Sequence, residues 1–353
     1  MQLSQRLRCA SIVCTCTLSV ALSSCSNSSN PITNDSTVDA GSSGMPVDES
    51  IDNSDTDANC PIGALYDAEE DVCYIDCDGL TDDQCDDLDI ATFGEFDEFI
   101  DNEFEGSGLN NANDTEQNDA IARFAVKTDL TLNVIENQQP ENDDQFRQIW
   151  NSAKALLPQS VLNQSLSEFQ ISTDGKDETL AFVQTDENQP GKWIIAYDNA
   201  DYIDGKDAEF IHTTVHEFGH IVFLGVGQVD MNNLGDCQNY SIMEGCSESD
   251  SFINQFYQQF WKESFDEHTA AIGPNEDEDA IADFYNQYED RFVSEYSATN
   301  PVEDAAEIFT RFVLSKKPTA GGPVSQQKIL FLYQFEALVK LRNTIRAKLN
   351  VMR

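Results

Sequence analysis

The chain has 353 residues, 64 acidic against 20 basic, for a formal net charge of −44. That balance excludes nucleic-acid binding through phosphate contacts, which need Lys and Arg. An apolar content of 40% supports a sizeable core, though not along the whole length.

The N-terminus, MQLSQRLRCASIVCTCTLSVALSSC, places Arg6 and Arg8 ahead of an apolar run to about Leu22. The run is too short for an ordinary membrane span and has signal-peptide flanks. Leu22-Ser23-Ser24-Cys25 resembles the lipobox of bacterial lipoproteins. The resemblance implies that residues 1–24 are removed and Cys25 is lipidated. The protein would then be exported and lipid-anchored in the bacterial cell envelope, at the outer membrane or the cell surface. A plain signal peptide cut near the same place is the alternative.

Residues 25–59 are rich in Ser, Asn, Asp, Thr and Gly, and read as a disordered tether. Residues 60–87 form a small acidic, cysteine-rich module containing Cys60, Cys73, Cys77 and Cys85. In an exported chain an even set of cysteines implies disulfides, here two bridges of open connectivity. The module's aspartates offer oxygens that suit calcium. No calcium-loop spacing is present, so a solvated acidic module is the stronger reading. Residues 88–118 read as an acidic linker. Cys237 and Cys246 are local partners expected to pin one loop.

From 119 to 353 the pattern is globular. Residues 143–162 have helical apolar spacing through Phe146, Ile149, Trp150, Ala153, Leu156 and Leu157, with Pro158 expected to end or bend the helix. Three strand-like runs follow, SEFQIST (167–173), TLAFVQT (179–185) and KWIIAYD (192–198). DENQPG between the last two reads as a hairpin loop. KWIIAYD is read either as the edge strand against which an extended peptide pairs or as an ordinary core strand. A helix then runs through FIHTTVHEFGHIVFL and stops near Gly225. Three or four more helices fill the rest, the last spanning SQQKILFLYQFEALVKLRNTIRAKL. The expected class is α+β, with a small mainly antiparallel sheet, an active-site helix and a helical C-terminal lobe.

Residues four apart share one helix face, so His216 and His220 aim both imidazoles at one point. Glu217 projects beside them, placed to hold a water and take its proton. Gly219 leaves room for another element. The flanking Phe210, Ile211, Val215, Ile221, Val222, Phe223 and Leu224 predict a buried helix, where histidines and a carboxylate need partners. His212 lies one turn earlier on the same face, with a capping or solvent role favoured over support of the site. A catalytic zinc needs a third protein ligand and an open position. His268 is the one later histidine and sits in a charged stretch, so a carboxylate is expected instead. In SEYSATNPVEDAAEIFTRFV (294–313) Asn300 can cap a helix and Pro301 suits its first position. Glu303 is the favoured ligand, with a capping role, Asp304 and Glu295 as alternatives.

HExxH with a later E-x-x-x-[DE] is the gluzincin pattern. The run Y-x-x-x-N-x-x-E-x-x-A-E is similar to the peptidase domain of anthrax lethal factor and related secreted metallopeptidases. The resemblance implies a zincin-like domain, with one zinc per chain on His216, His220 and Glu303 and a supporting carboxylate in Glu307. It implies Glu217 as general base and Tyr296 as oxyanion donor. The implied activity is peptide-bond hydrolysis, with a protein or peptide as substrate. The gap of 83 positions between His220 and Glu303 is longer than the family leads one to expect. The competing readings are a non-catalytic surface binding lipoprotein of the same fold, and a calcium-binding structural lipoprotein.

Overall fold

The computed structural model describes residues 64–67, 70, 72–75, 120–173, 179–233, 235, 237–274 and 276–352. Of the chain's two units, Met1–Asp52 and Asn53–Arg353, these all belong to the second. The signal segment, Cys25, the tether, Cys60, Cys77, Cys85 and the acidic linker lie outside the described residues, as does the side chain of Cys73.

β1 (Ala64–Asp67) and β2 (Val72–Ile75) form an antiparallel hairpin. The main sheet is built from β3 (Ala122–Val126), β4 (Leu132–Asn137), β5 (Leu166–Ser172), β6 (Ala181–Thr185) and β7 (Trp193–Asp198). Its order is β4-β3-β5-β7-β6. Every neighbouring pair is antiparallel except β5 and β7. Between β4 and β5 run α1 (Asp143–Leu156) and α2 (Gln159–Ser165). Pro158 separates them, because proline cannot continue the preceding helix. The fold is α+β, and the sheet is mainly antiparallel, as the sequence predicts.

The edge-strand reading of KWIIAYD is corrected. β7 is buried along its whole length and lies between β5 and β6. Its unbroken apolar run is the pattern of a strand covered on both faces. The edge is β6, whose residues are only partly buried. The sequence reading also lacked β3 and β4, which add a second antiparallel hairpin at the far side of the sheet.

After β7 comes α3 (Ala208–Leu224). A small antiparallel sheet follows, made of β8 (Val229–Asp230), β9 (Ser241–Ile242) and β10 (Gly245–Ser247), with Cys246 of β10 disulfide-bonded to Cys237. The helical lobe holds α4 (Phe252–Phe260), α5 (Phe265–Ile272), α6 (Glu278–Gln287), α7 (Pro301–Leu314), α8 (Val324–Leu332) and α9 (Glu336–Met352). The lobe has more helices than the sequence led us to expect, and the long last one is broken at Tyr333–Phe335. The break lets Phe335 pack against both Phe252 and Phe331, at ring separations of 5.0 and 5.1 Å.

α7 is the axis of this lobe. Asn300 caps its N-terminus by accepting from the backbone N–H groups of Val302 and Glu303 at 2.9 and 3.0 Å. Two arginines of α9 close the other end. Arg342 Nε donates to the Phe312 carbonyl at 2.7 Å and Arg346 to that of Val313 at 2.8 Å. Cations there satisfy the last carbonyls and oppose the helix dipole.

Glu70, from the turn between β1 and β2, caps a helix distant in sequence. Its carboxylate accepts from the backbone of Gln159 at 2.7 Å and of Ser160 at 3.0 Å, and lies 3.4 Å from Lys348 Nζ. The cysteine-bearing segment is thereby joined to both α2 and α9. Burial raises the Glu70 carboxyl, but the bonds from Ser160 and Gln159 and the Lys348 charge hold it below its ordinary value. Glu70→Ala removes the cap and leaves a nearly buried ammonium without its anion. We expect a cost of about 2 kcal/mol, roughly 3–6 °C in Tm; an unchanged thermal melt would refute the clasp.

Candidate metal centre

The site forms where α3 crosses α7. Asp207 starts α3 by accepting from the backbone N–H groups of Glu209 and Phe210. From Phe210 to Leu224 every residue of the helix is buried. A helix apolar all round is a core element, and its polar members must find partners inside. The sheet covers one side and α7 the other. At the crossing, a Cβ on Gly219 would lie 3.2 Å from Ala306 Cα and 3.3 Å from Phe309. A glycine lets the two backbones come this close without crowding, in line with the expectation that Gly219 leaves room for another element.

Close approach brings Glu303 over the two histidines. His216 Nε2 is 3.1 Å from His220 Nε2 and 3.2 Å from Glu303 Oε2, and His220 Nε2 is 3.2 Å from the same oxygen. Three donor atoms thus form a nearly equilateral triangle. Tetrahedral ligands at about 2.0–2.1 Å from a zinc ion stand roughly 3.3–3.4 Å apart. The observed triangle matches within about 0.3 Å, and two nitrogens and a carboxylate oxygen suit that ion. Two imidazole nitrogens facing one another at this distance also require a proton or a cation between them. His216, His220 and Glu303 are the described residues that could together hold a metal ion. The His220 side chain is 10% exposed and that of Glu303 15%, so the triangle opens to solvent at one edge.

The other ring nitrogen of His216, Nδ1, is 2.8 Å from Glu307 Oε1, which fixes the ring with Nε2 toward the triangle. Ser294 Oγ donates to the second Glu307 oxygen at 2.9 Å. Burial raises the Glu307 carboxyl, but the bond from His216 and the charges of His212 and His216 bring it down to about 2. Burial likewise raises Glu303, and the His220 and His216 imidazoles more than offset it, so it stays well below the ordinary carboxylate range. His212 is buried beside Glu307, with Nε2 3.9 Å from Oε1. The expected capping or solvent role is therefore corrected. Burial pushes its pKa down to about 4, so the ring is neutral.

Tyr296 sits in a one-turn 3-10 segment, Tyr296–Ala298, with its ring 5.7 Å from that of His216. Burial and the charges of Glu303 and Glu217 push its hydroxyl well up, and it donates a hydrogen bond to Glu303. Glu217 faces β6, where the Val183 backbone N–H donates to its carboxylate. Burial raises Glu217, with His220 and His216 pulling it down and Glu303 raising it again.

The other sequence candidates lie elsewhere. Asp304 turns away from the triangle and bonds Lys328 and Trp261. His268 is buried and bonds the Ala298 carbonyl at 2.8 Å. Glu295 is exposed. The capping role weighed for Glu303 falls to Asn300, which leaves the Glu303 side chain for the histidines.

Two neighbours escaped the sequence reading. Ser294 had no motif to mark it. Glu244, between β9 and β10 on the loop closed by Cys237–Cys246, lies within electrostatic reach of His220 and Glu303. Burial raises its carboxyl. The disulfide was readable as a loop staple, but not which loop it held against the site. No family model matches the chain, and neither a curated protein nor a solved structure matches it.

If the helix crossing sets the triangle, Gly219→Val must push α7 outward. We expect a stability loss of about 1–3 kcal/mol from overpacking and uptake of added zinc weakened at least ~10-fold, read by thermal melting and chelator competition. A folded variant with unchanged zinc uptake would show that the crossing does not set the donor spacing.

Proposed function

We propose that this chain is an exported, lipid-anchored zinc endopeptidase of gluzincin type. The observation that carries the reading is the triangle of His216, His220 and Glu303, with Glu217 and Tyr296 beside it. The α+β architecture, with an antiparallel edge strand above the histidine-bearing helix, supports a zincin-like domain. Among the described residues no helix is long and apolar enough to cross a membrane. The anchor is proposed from the lipobox-like sequence ending at Cys25.

His216, His220 and Glu303 would hold the metal, with Glu307 orienting His216. A bound zinc ion polarises a carbonyl and lowers the pKa of water. Glu217 is placed to accept that water's proton and return it to the leaving amine. Its raised pKa brings a carboxylate nearer to the working pH, where general bases act best. Tyr296 remains protonated at neutral pH because burial and neighbouring carboxylates disfavour its anion. It can therefore donate to the carbonyl oxygen as negative charge grows there. Among the described residues β6 is the edge strand beside Glu217, and an extended peptide could add along it as a further strand.

Glu217→Gln keeps the shape but removes the proton acceptor. We expect about one zinc per chain in both proteins and a fall of roughly 10²–10⁴-fold in hydrolysis of a peptide library by the variant. A wild type that holds zinc yet cleaves nothing would favour a binding protein of the same fold. A wild type that holds no zinc would end the proposal.

A further inference from the structure

Behind the turn that carries Glu303 lies a second polar cluster, sealed from solvent. Asp304 and Lys328 are both fully buried, with Nζ 2.6 Å from Oδ2. Trp261 Nε1 donates to the same oxygen at 2.6 Å. Lys328 also donates to the Arg291 carbonyl at 2.6 Å, and its ammonium stands over the Phe292 ring at 4.5 Å. Asp304 Oδ1 has no hydrogen-bond partner among the described residues.

Such a pair is a poor stabiliser. Desolvating two charges costs several kcal/mol, and well-packed apolar side chains in their place often serve as well or better. The cluster's place in the fold supplies a different reason for it. Trp261 reaches both sides of the segment from Tyr296 to Glu303, directly through Asp304 next to Glu303 and indirectly through His268. At one end it bonds Asp304. At the other its ring meets His268 edge-on at 4.9 Å, and His268 bonds the Ala298 carbonyl of the Tyr296 turn at 2.8 Å. Asn300 spans the two by capping α7. One wall, from the end of α4 to α5, thus grips the turn bearing Tyr296 and the helix start bearing Glu303.

We propose that Asp304, with Lys328, Trp261 and His268, is a positioning group that fixes Glu303 and Tyr296 relative to the two histidines. The inference rests on reading the triangle as a metal site. It goes beyond that reading by assigning residues that touch neither metal nor substrate.

The test replaces both charges at similar volume, Asp304→Leu with Lys328→Met. Two measurements are made: zinc affinity by competition with a chromogenic chelator, and the imidazole ¹H–¹⁵N resonances of His216 and His220 in metal-free protein. The chain has four histidines, which keeps assignment tractable. Positioning requires a folded variant with Tm within about 3 °C of wild type or above it. It also requires zinc affinity lower by about 10–100-fold and displaced resonances for both histidines. Single Lys328→Met should be the least stable protein, since it strands a buried carboxylate. Unchanged affinity and unchanged resonances in a folded double variant would overturn the proposal. So would a double variant as unstable as Lys328→Met, which would make the pair purely structural. If wild type takes up no zinc, the metal reading falls on its own. The metal-free resonances then decide, displacement supporting the positioning role and constancy refuting it.

Discussion

The approach of α3 to α7 at Gly219 sets everything else in the site. Side chains from two helices can meet at one point only if the helix axes are close, and Gly219 against Ala306 makes them so. The same contact fixes the rotation of both helices. With Gly219 packed on Ala306, His216 and His220 lie on one side of the seam, and Glu303 and Glu307 face them from one turn before and one residue after Ala306. Geometry that looks like the work of four polar residues thus also depends on the tight packing at Gly219.

The crossing also creates an electrostatic problem. It buries carboxylates on a helix inside a chain of net charge −44. Only 20 basic residues are available, and three nearly buried ones converge on α7. Lys328 meets Asp304 in the first turn, while Arg342 and Arg346 take the last carbonyls. Buried charges cost several kcal/mol each unless paired; Lys328 pairs one of these carboxylates, and the two arginines offset the helix dipole at the far end.

Much of this was legible locally. The i, i+4 histidines, the Asn300-Pro301 helix start and the Cys237–Cys246 staple depend on neighbours in sequence, and each stands where the pattern put it. Features set by distant packing were not legible. KWIIAYD and TLAFVQT both read as strands, and which of them lay at the edge depended on a third strand, β5, pairing with the first. The unbroken burial of the WIIA run was a signal for the centre that the reading underused. Glu70 caps α2 across 89 positions, and no periodicity reports that. Lys328 sits in KILFLY as a lone charge among apolar residues. A lysine there has to find an anion, but sequence does not say which one.

Four glutamates near the triangle show how environment divides one chemical group among roles. Glu307 is more deeply buried than Glu217 and Glu303 somewhat less, yet each of the two lies directly against an imidazole, and the gain from that contact exceeds the cost of burial. Both stay ionised, as the proposed metal ligand and its orienting group must. Glu217 accepts a backbone N–H from Val183, and its histidine neighbours act through their charge alone, so burial wins and its carboxyl moves up. Glu244 follows the same course on its disulfide-bound loop. Pairs of like groups driven apart in this way are how folded proteins assign separate acid, base and ligand duties. The order found here puts the lowered carboxyls on the ring nitrogens and a raised one at the strand edge. That is the division the proposed hydrolytic site needs, and it follows from which glutamates the α3–α7 crossing presses against histidine.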